Sequence, residues 1–179
     1  RDRVAERQPV DESGVVPGLA GGFEVGGGDA RFGLGTVADI ELTRQGAGGR
    51  IQLIARGEQR FEVETWLPDD PYPRAEVRFL PDLEWSDEHA PRLAEVDAAV
   101  RRALTITSEY GHHPWRADTP VSDDPLTAAW QLAGIAPLGA LDQHTLLGAG
   151  SVRDLLDTTE RLVTEALELL PLQLPEDPP

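Results

Sequence analysis

Two adjacent histidines, His112 and His113, lie close to the carboxylates of Asp118, Asp123 and Asp124, a mixture able to hold zinc or another divalent ion. Neighbouring histidines project in different directions on most backbones, however, and no His-x-x-x-His spacing accompanies them. A solvated loop, or hydrogen bonds between subdomains, is therefore the expected role, and no metal site is assigned. His89 and His144 stand alone and read as surface polar residues. Paired acids recur at Asp69-Asp70, at Glu84 with Asp87-Glu88, and at Asp123-Asp124. Acid–base chemistry would require one member of a pair to be desolvated. These pairs sit in turn-like, proline-punctuated stretches, where Asp serves as a local cap. Ser13, Ser86, Ser108, Ser122 and Ser151 occur in no Gly-x-Ser-x-Gly context. All sixteen basic residues are arginines, so a Ser–Lys dyad, a Walker lysine and Schiff-base chemistry are excluded within this chain. The absence of Cys removes thiolate nucleophiles, disulfides and cysteine-based metal sites. The triple glycine Gly26-Gly27-Gly28 has no lysine after it and no strand–glycine–helix context, so it reads as a loop. No catalytic residue, metal ligand or cofactor is expected.

The aromatic residues offer binding chemistry instead. Trp66, Tyr72, Phe79 and Trp115 form the candidate binding surface, whereas Trp130, at helical spacing, reads as core. Strict alternation places Trp66 on the strand face opposite Phe61 and Val63, beside the Leu67-Pro68 loop. Exposed aromatic and aliphatic groups are what a receptor for extended polypeptide uses. Packing of a sheet against helices would consume the same residues. A net charge of -16 and a pI near 4.5 disfavour nucleic-acid and anionic-membrane partners. No apolar run approaches the roughly 20 residues of a membrane span. Nothing near the start resembles a secretory signal, so a soluble, cytoplasmic protein is expected. The chain begins at Arg1 and contains no Met, which reads as a processed or partial product.

The elements that must position these groups fall into two kinds. Val4–Arg7 could end a helix before Pro9, and Gly14–Val16 could be a short strand. From Gly35 to Phe79 the apolar period is two. Thr36–Leu42 reads as a strand and Gln45–Gly49 as a turn, with Ile51, Leu53 and Ala55 sharing a strand face. Arg56-Gly57-Glu58 reads as a further hairpin turn. Ala75, Val77 and Phe79 alternate with Arg74, Glu76 and Arg78 as a half-buried strand. After Asp87 the period becomes helical, with helices predicted over about 91–110, from Asp124-Pro125 to Gly134, and over 141–147. Ser151 with Asp154 reads as a capping box that starts a last helix, stopped by Pro171 before an acidic, proline-rich tail. The class is α+β with segregated elements.

These residues carry a family resemblance. Gly35-Thr-Val-Ala38, Gly57 with Arg60-Phe61 and Val63, and Pro71-Tyr72 with Ala75 and Val77 resemble motifs of the Lon protease substrate-binding (N-terminal) domain. Glu24 to Asp29 resembles a segment of stand-alone bacterial members, and Asp124-Pro125-Leu126 and Leu138–Leu170 resemble the family's closing helices. The resemblance implies an antiparallel PUA-like pseudo-barrel over residues 1–85, then a helical bundle over 86–179. It also implies a non-catalytic module that binds polypeptide substrates or partner proteins, with proteolysis adaptor as its expected role. The alternative is a small-ligand receptor using an aromatic pocket at the junction of barrel and bundle, with Trp66, Tyr72 and Trp115 available to line it. The usual opening strand and Glu-Pro-Arg-Tyr-like helix of the family do not precede Arg1. The barrel is therefore expected to be incomplete at the N-terminus, with an exposed edge.

Overall fold

The period-two stretch forms a three-stranded antiparallel sheet in the computed structural model, which describes residues 19–20, 30–110 and 114–170. Strands β3 (Leu34–Gln45), β4 (Ile51–Leu67) and β5 (Arg74–Phe79) lie in the order β3-β4-β5. A separate two-residue pair joins β1 (Leu19–Ala20) to β2 (Ala30–Arg31). The readings of Val4–Arg7, Gly14–Val16, the triple glycine and Glu24–Asp29, His112–His113 and the tail lie outside the described residues. The chain divides into two compact units, residues 1–82 and 83–179.

The reversal between β3 and β4 is made at Gly48 and Gly49, whose φ angles of 75° and 79° suit residues without a Cβ. Gly46 N–H closes the turn on the Arg50 carbonyl at 2.6 Å. The second turn expected at Arg56-Gly57-Glu58 does not exist, because β4 runs through it and Gly57 lies opposite Ala38. Gly57 instead marks a bulge. The pairing passes from Thr36↔Arg60 to Ala38↔Gly57, three steps on β4 against two on β3.

A further bulge corrects the placement of Trp66. Phe61 lies opposite Phe79 and Val63 opposite Val77, but the register then shifts so that Thr65 faces Glu76 and Trp66 faces Ala75. Residues directly opposite one another share a face, so the extra residue returns Trp66 to the apolar face of Phe61, Val63 and Phe79. The other face carries Glu62 and Arg78 as an ion pair, with Glu64 3.6 Å from the same guanidinium.

Within this unit only Gly35 and Arg60 are buried among the described residues. Gly35 lies beneath the Phe61 ring, opposite it in the ladder. The Arg60 guanidinium donates to the Pro81 carbonyl at 2.9 Å, and Leu80 N–H donates to the Arg60 carbonyl at 2.9 Å. Burial pulls the pKa of Arg60 down, opposed by the Asp82 carboxylate.

The second unit contains α1 (Ala90–Tyr110), α2 (Pro125–Ile135), α3 (Ala140–Leu146) and α4 (Val152–Leu169). Helices α1, α2 and α4 pack on one another, and α3 packs on α2 and α4. Val96, Val100 and Leu104 of α1 form a continuous core with Leu132, Leu155, Leu156 and Val163. Their spacing of four in α1, and of seven and eight in α4, places each set on one helix face. The buried Thr159 hydroxyl donates to the Leu155 carbonyl at 2.7 Å, so this polar group is satisfied. Arg92 bridges α1 and α4, contacting Glu95, Asp157 and Glu160 at 3.0, 2.7 and 2.7 Å.

Asp124 caps α2 by accepting from Thr127 N–H, and Pro125 fills the first turn where its missing N–H costs nothing. Ser151 caps α4 by accepting from Asp154 N–H at 3.1 Å. The Asp154 carboxylate accepts from Gly150 N–H rather than closing the box on Ser151. The α+β class expected from the sequence is the class observed. The described β residues form an open sheet and a short pair, and barrel closure is not among them.

Candidate functional site

The four aromatics divide between the units. Trp66, at the end of β4, is 41% exposed, and the Arg31 guanidinium lies 4.8 Å from its ring centroid. That distance allows a cation–π contact, and Asp69 fixes the same guanidinium at 2.7 Å. Tyr72 lies in the β4–β5 connection and is 39% exposed, its carbonyl accepting from Asp70 N–H. Phe79 closes β5 half-buried, and strand register places it on the same sheet face as Trp66. Trp115 belongs to the helical unit, exposed in the loop between α1 and α2. The sheet thus aligns Trp66 and Phe79 on one face, with Tyr72 on the adjoining loop.

A second apolar surface had no place among the sequence candidates. β5 pairs with β4 only from Phe61 to Leu67, so beyond that point β3 and β4 continue as a two-stranded arm to the Gly48–Gly49 reversal. Ile40, Leu42, Ile51 and Ile54 on this arm are all exposed. Leu42 and Ile54 face one another across the ladder, whereas Ile40 faces Ala55 and Ile51 faces Gln45. A shallow depression of about 230 Å³ is lined by Leu42, Arg44, Gln52, Leu53 and Ile54. The sequence signal was the run Ile51-Gln52-Leu53-Ile54, apolar at both strand parities. A half-buried strand needs one apolar face, so this run departs from the rule.

The polar candidates are occupied with local structure. Asp124 is the α2 cap, and its bonds from the Thr127 hydroxyl and N–H hold its carboxyl below the usual range. Arg116 bonds Asp118 at 2.9 Å and holds that carboxyl low as well. His89 Nδ1 accepts from Ser86 N–H at 3.2 Å, and its ring lies beside Trp85. Ser108 donates to the Thr105 carbonyl of its own helix, and Ser122 accepts from Asp124 N–H. Among the described residues, no three His, Cys, Asp or Glu side chains are grouped to hold a metal. No helix among them is long and apolar enough to cross a membrane.

The chain is 27% identical over 151 residues to a Lon protease of Desulforamulus reducens, covering 81% of this chain and 18% of the relative. It is 23% identical over 141 residues to Lon protease 2 of Herpetosiphon aurantiacus, covering 78% of this chain and 17% of that one. The chain therefore spans less than a fifth of the length of the curated relatives it matches. Among solved structures, the N-terminal domain of Mycobacterium avium complex Lon protease superposes with a TM-score of 0.55 at 21% identity. That superposition covers 76% of this chain and 72% of the other, and it shows a shared fold. The family matched is a substrate-binding domain, not a peptidase or ATPase domain. Matched over residues 5–165 by the model of the ATP-dependent protease La (LON) substrate-binding domain, the chain belongs to that family.

Proposed function

We propose that this chain is a non-catalytic recognition module that binds polypeptide substrates or partner proteins and serves proteolysis as an adaptor. One observation carries the reading. Of the ten large hydrophobics exposed among the described residues, six lie between Ile40 and Tyr72, on the sheet unit. An exposed apolar surface beside strand edges suits an extended chain, because backbone pairing supplies affinity and side-chain contacts supply selectivity. Family membership supports the same reading. In it, residues 1–85 form the recognition subdomain, 86–179 form the helical one, and Trp66, Tyr72 and Phe79 belong to the binding surface. The net charge of -16 favours protein over nucleic-acid or anionic-membrane partners.

Fluorescence anisotropy of a labelled, charge-neutral peptide rich in Leu and Ile tests the proposal on the full chain. Saturable binding is expected, weakened about tenfold when Trp66→Ala and Tyr72→Ala are combined, as for loss of two apolar anchors. Absence of binding by the unaltered chain sinks the reading. Unchanged affinity in the double variant removes these aromatics from the surface.

A further inference from the structure

The outer end of the arm is locally basic. From Leu42 to Ile54 there are two basic residues, Arg44 and Arg50, and no carboxylate, within a protein of net charge -16. Both arginines are exposed, and neither makes an ion pair with a described residue. Arg56, further along β4, is by contrast held by Glu41 and Glu58 at 3.1 and 3.2 Å. Arg44 thus shares with exposed Leu42 and Ile54 the lining of the depression, and Arg50 stands just past the reversal. Both long edges of this part of the ribbon lack a neighbouring strand among the described residues.

We infer that the outer arm is a specificity-determining surface for extended polypeptide in which aliphatic side chains alternate with carboxylates. The inference rests on the recognition role proposed above and adds the substrate class. Aliphatic groups of the bound segment cover Leu42 and Ile54, which share a face, and its carboxylates meet Arg44 and Arg50. Guanidinium groups suit this role because their planar fork takes a carboxylate in bidentate fashion. Overall charge alone orders ligands the other way, since a protein at -16 attracts cationic peptides. At physiological salt the screening length is about 8 Å, so the local arginines govern a peptide seated on the arm.

The test uses three labelled peptides with the same Leu and Ile positions, carrying Glu, Gln or Lys at every intervening position. Anisotropy titrations on the full chain are expected to give the affinity order Glu, Gln, Lys. The Glu peptide should bind about three- to tenfold tighter than the Gln peptide, the contribution of two exposed ion pairs. Charge reversal in R44E/R50E should put the Lys peptide first, and R44Q/R50Q should bring the Glu peptide level with or below the Gln peptide. Far-UV circular dichroism of each variant confirms that the fold is kept. If the Gln peptide binds but the Glu peptide binds no tighter, the inference is overturned and the recognition role stands. If no peptide binds, the recognition role fails and this inference with it. Self-association of the chain in sedimentation, abolished by I54S, would assign the surface to a second copy and likewise overturn the proposal.

Discussion

Replacing Gly35 by Ala tests whether the sheet is held by the stacking of Phe61 on a residue without a side chain. A Cβ built on Gly35 falls 2.8 Å from Phe61 Cζ and 3.0 Å from Cε2, well inside carbon–carbon contact. The ring must move, and Phe61 is held in register with Phe79 on the neighbouring strand. Overpacking of this kind costs about 1–3 kcal/mol. The backbone of Gly35 is not in the positive-φ region, so Ala also gains about 0.4–1 kcal/mol from a less flexible unfolded chain. The net expectation is a loss of about 1–2 kcal/mol. Phe61→Leu alone should cost about 1 kcal/mol as a change of shape within the same apolar contact. Together the two should cost less than their sum, because the shorter side chain leaves room for the new methyl. Native-state hydrogen exchange of peptides from β3 and β4 reads the local free energy in all four proteins. Additivity of the two substitutions to within about 0.3 kcal/mol would refute the stacking argument.

Four further outcomes are expected. Leu155→Ala, at a fully buried site, should cost about 3–4 kcal/mol in urea unfolding followed by far-UV circular dichroism. The same change at Leu141, 64% exposed, should stay within about 0.5 kcal/mol of the parent. Because the Asp124 carboxyl titrates below its usual range, its contribution to α2 is complete above the unfolded pKa and disappears as pH falls through the lower folded one. Asp124→Asn keeps an acceptor at the cap, so acid titrations of variant and parent should differ in that window and coincide near neutrality. Gly48→Val should destabilise the β3–β4 reversal by about 1–2 kcal/mol, seen as faster exchange in the arm peptides, since a β-branched residue is strained at positive φ.

The helices were legible because their ends are written in residue types. Asp124 with Pro125 gave the start of α2 directly, and Ser151 gave that of α4. Strand β5 was legible from strict alternation between Arg74 and Phe79. Strand β4 was not, because a bulge is one extra residue without a dedicated sequence signature. One bulge moved Trp66 to the other face, and another put Gly57 in mid-strand, where composition read a turn. Of the candidate surface, Trp66, Tyr72 and Trp115 are exposed and Phe79 is half-buried. The arm escaped notice because exposure of Ile40, Leu42, Ile51 and Ile54 depends on where β5 stops, a property of pairing rather than of any one strand.

The bonds at Arg60 have a mechanical consequence. Tension on the chain beyond Asp82 travels back through Pro81 and Leu80 before it reaches β5. Pro81 is gripped by the Arg60 guanidinium and Leu80 by the Arg60 carbonyl, so one residue of the middle strand takes the first load. A polypeptide drawn from that side meets a clamp before it meets a zipper, and the strand ladder bears no force until the clamp has opened.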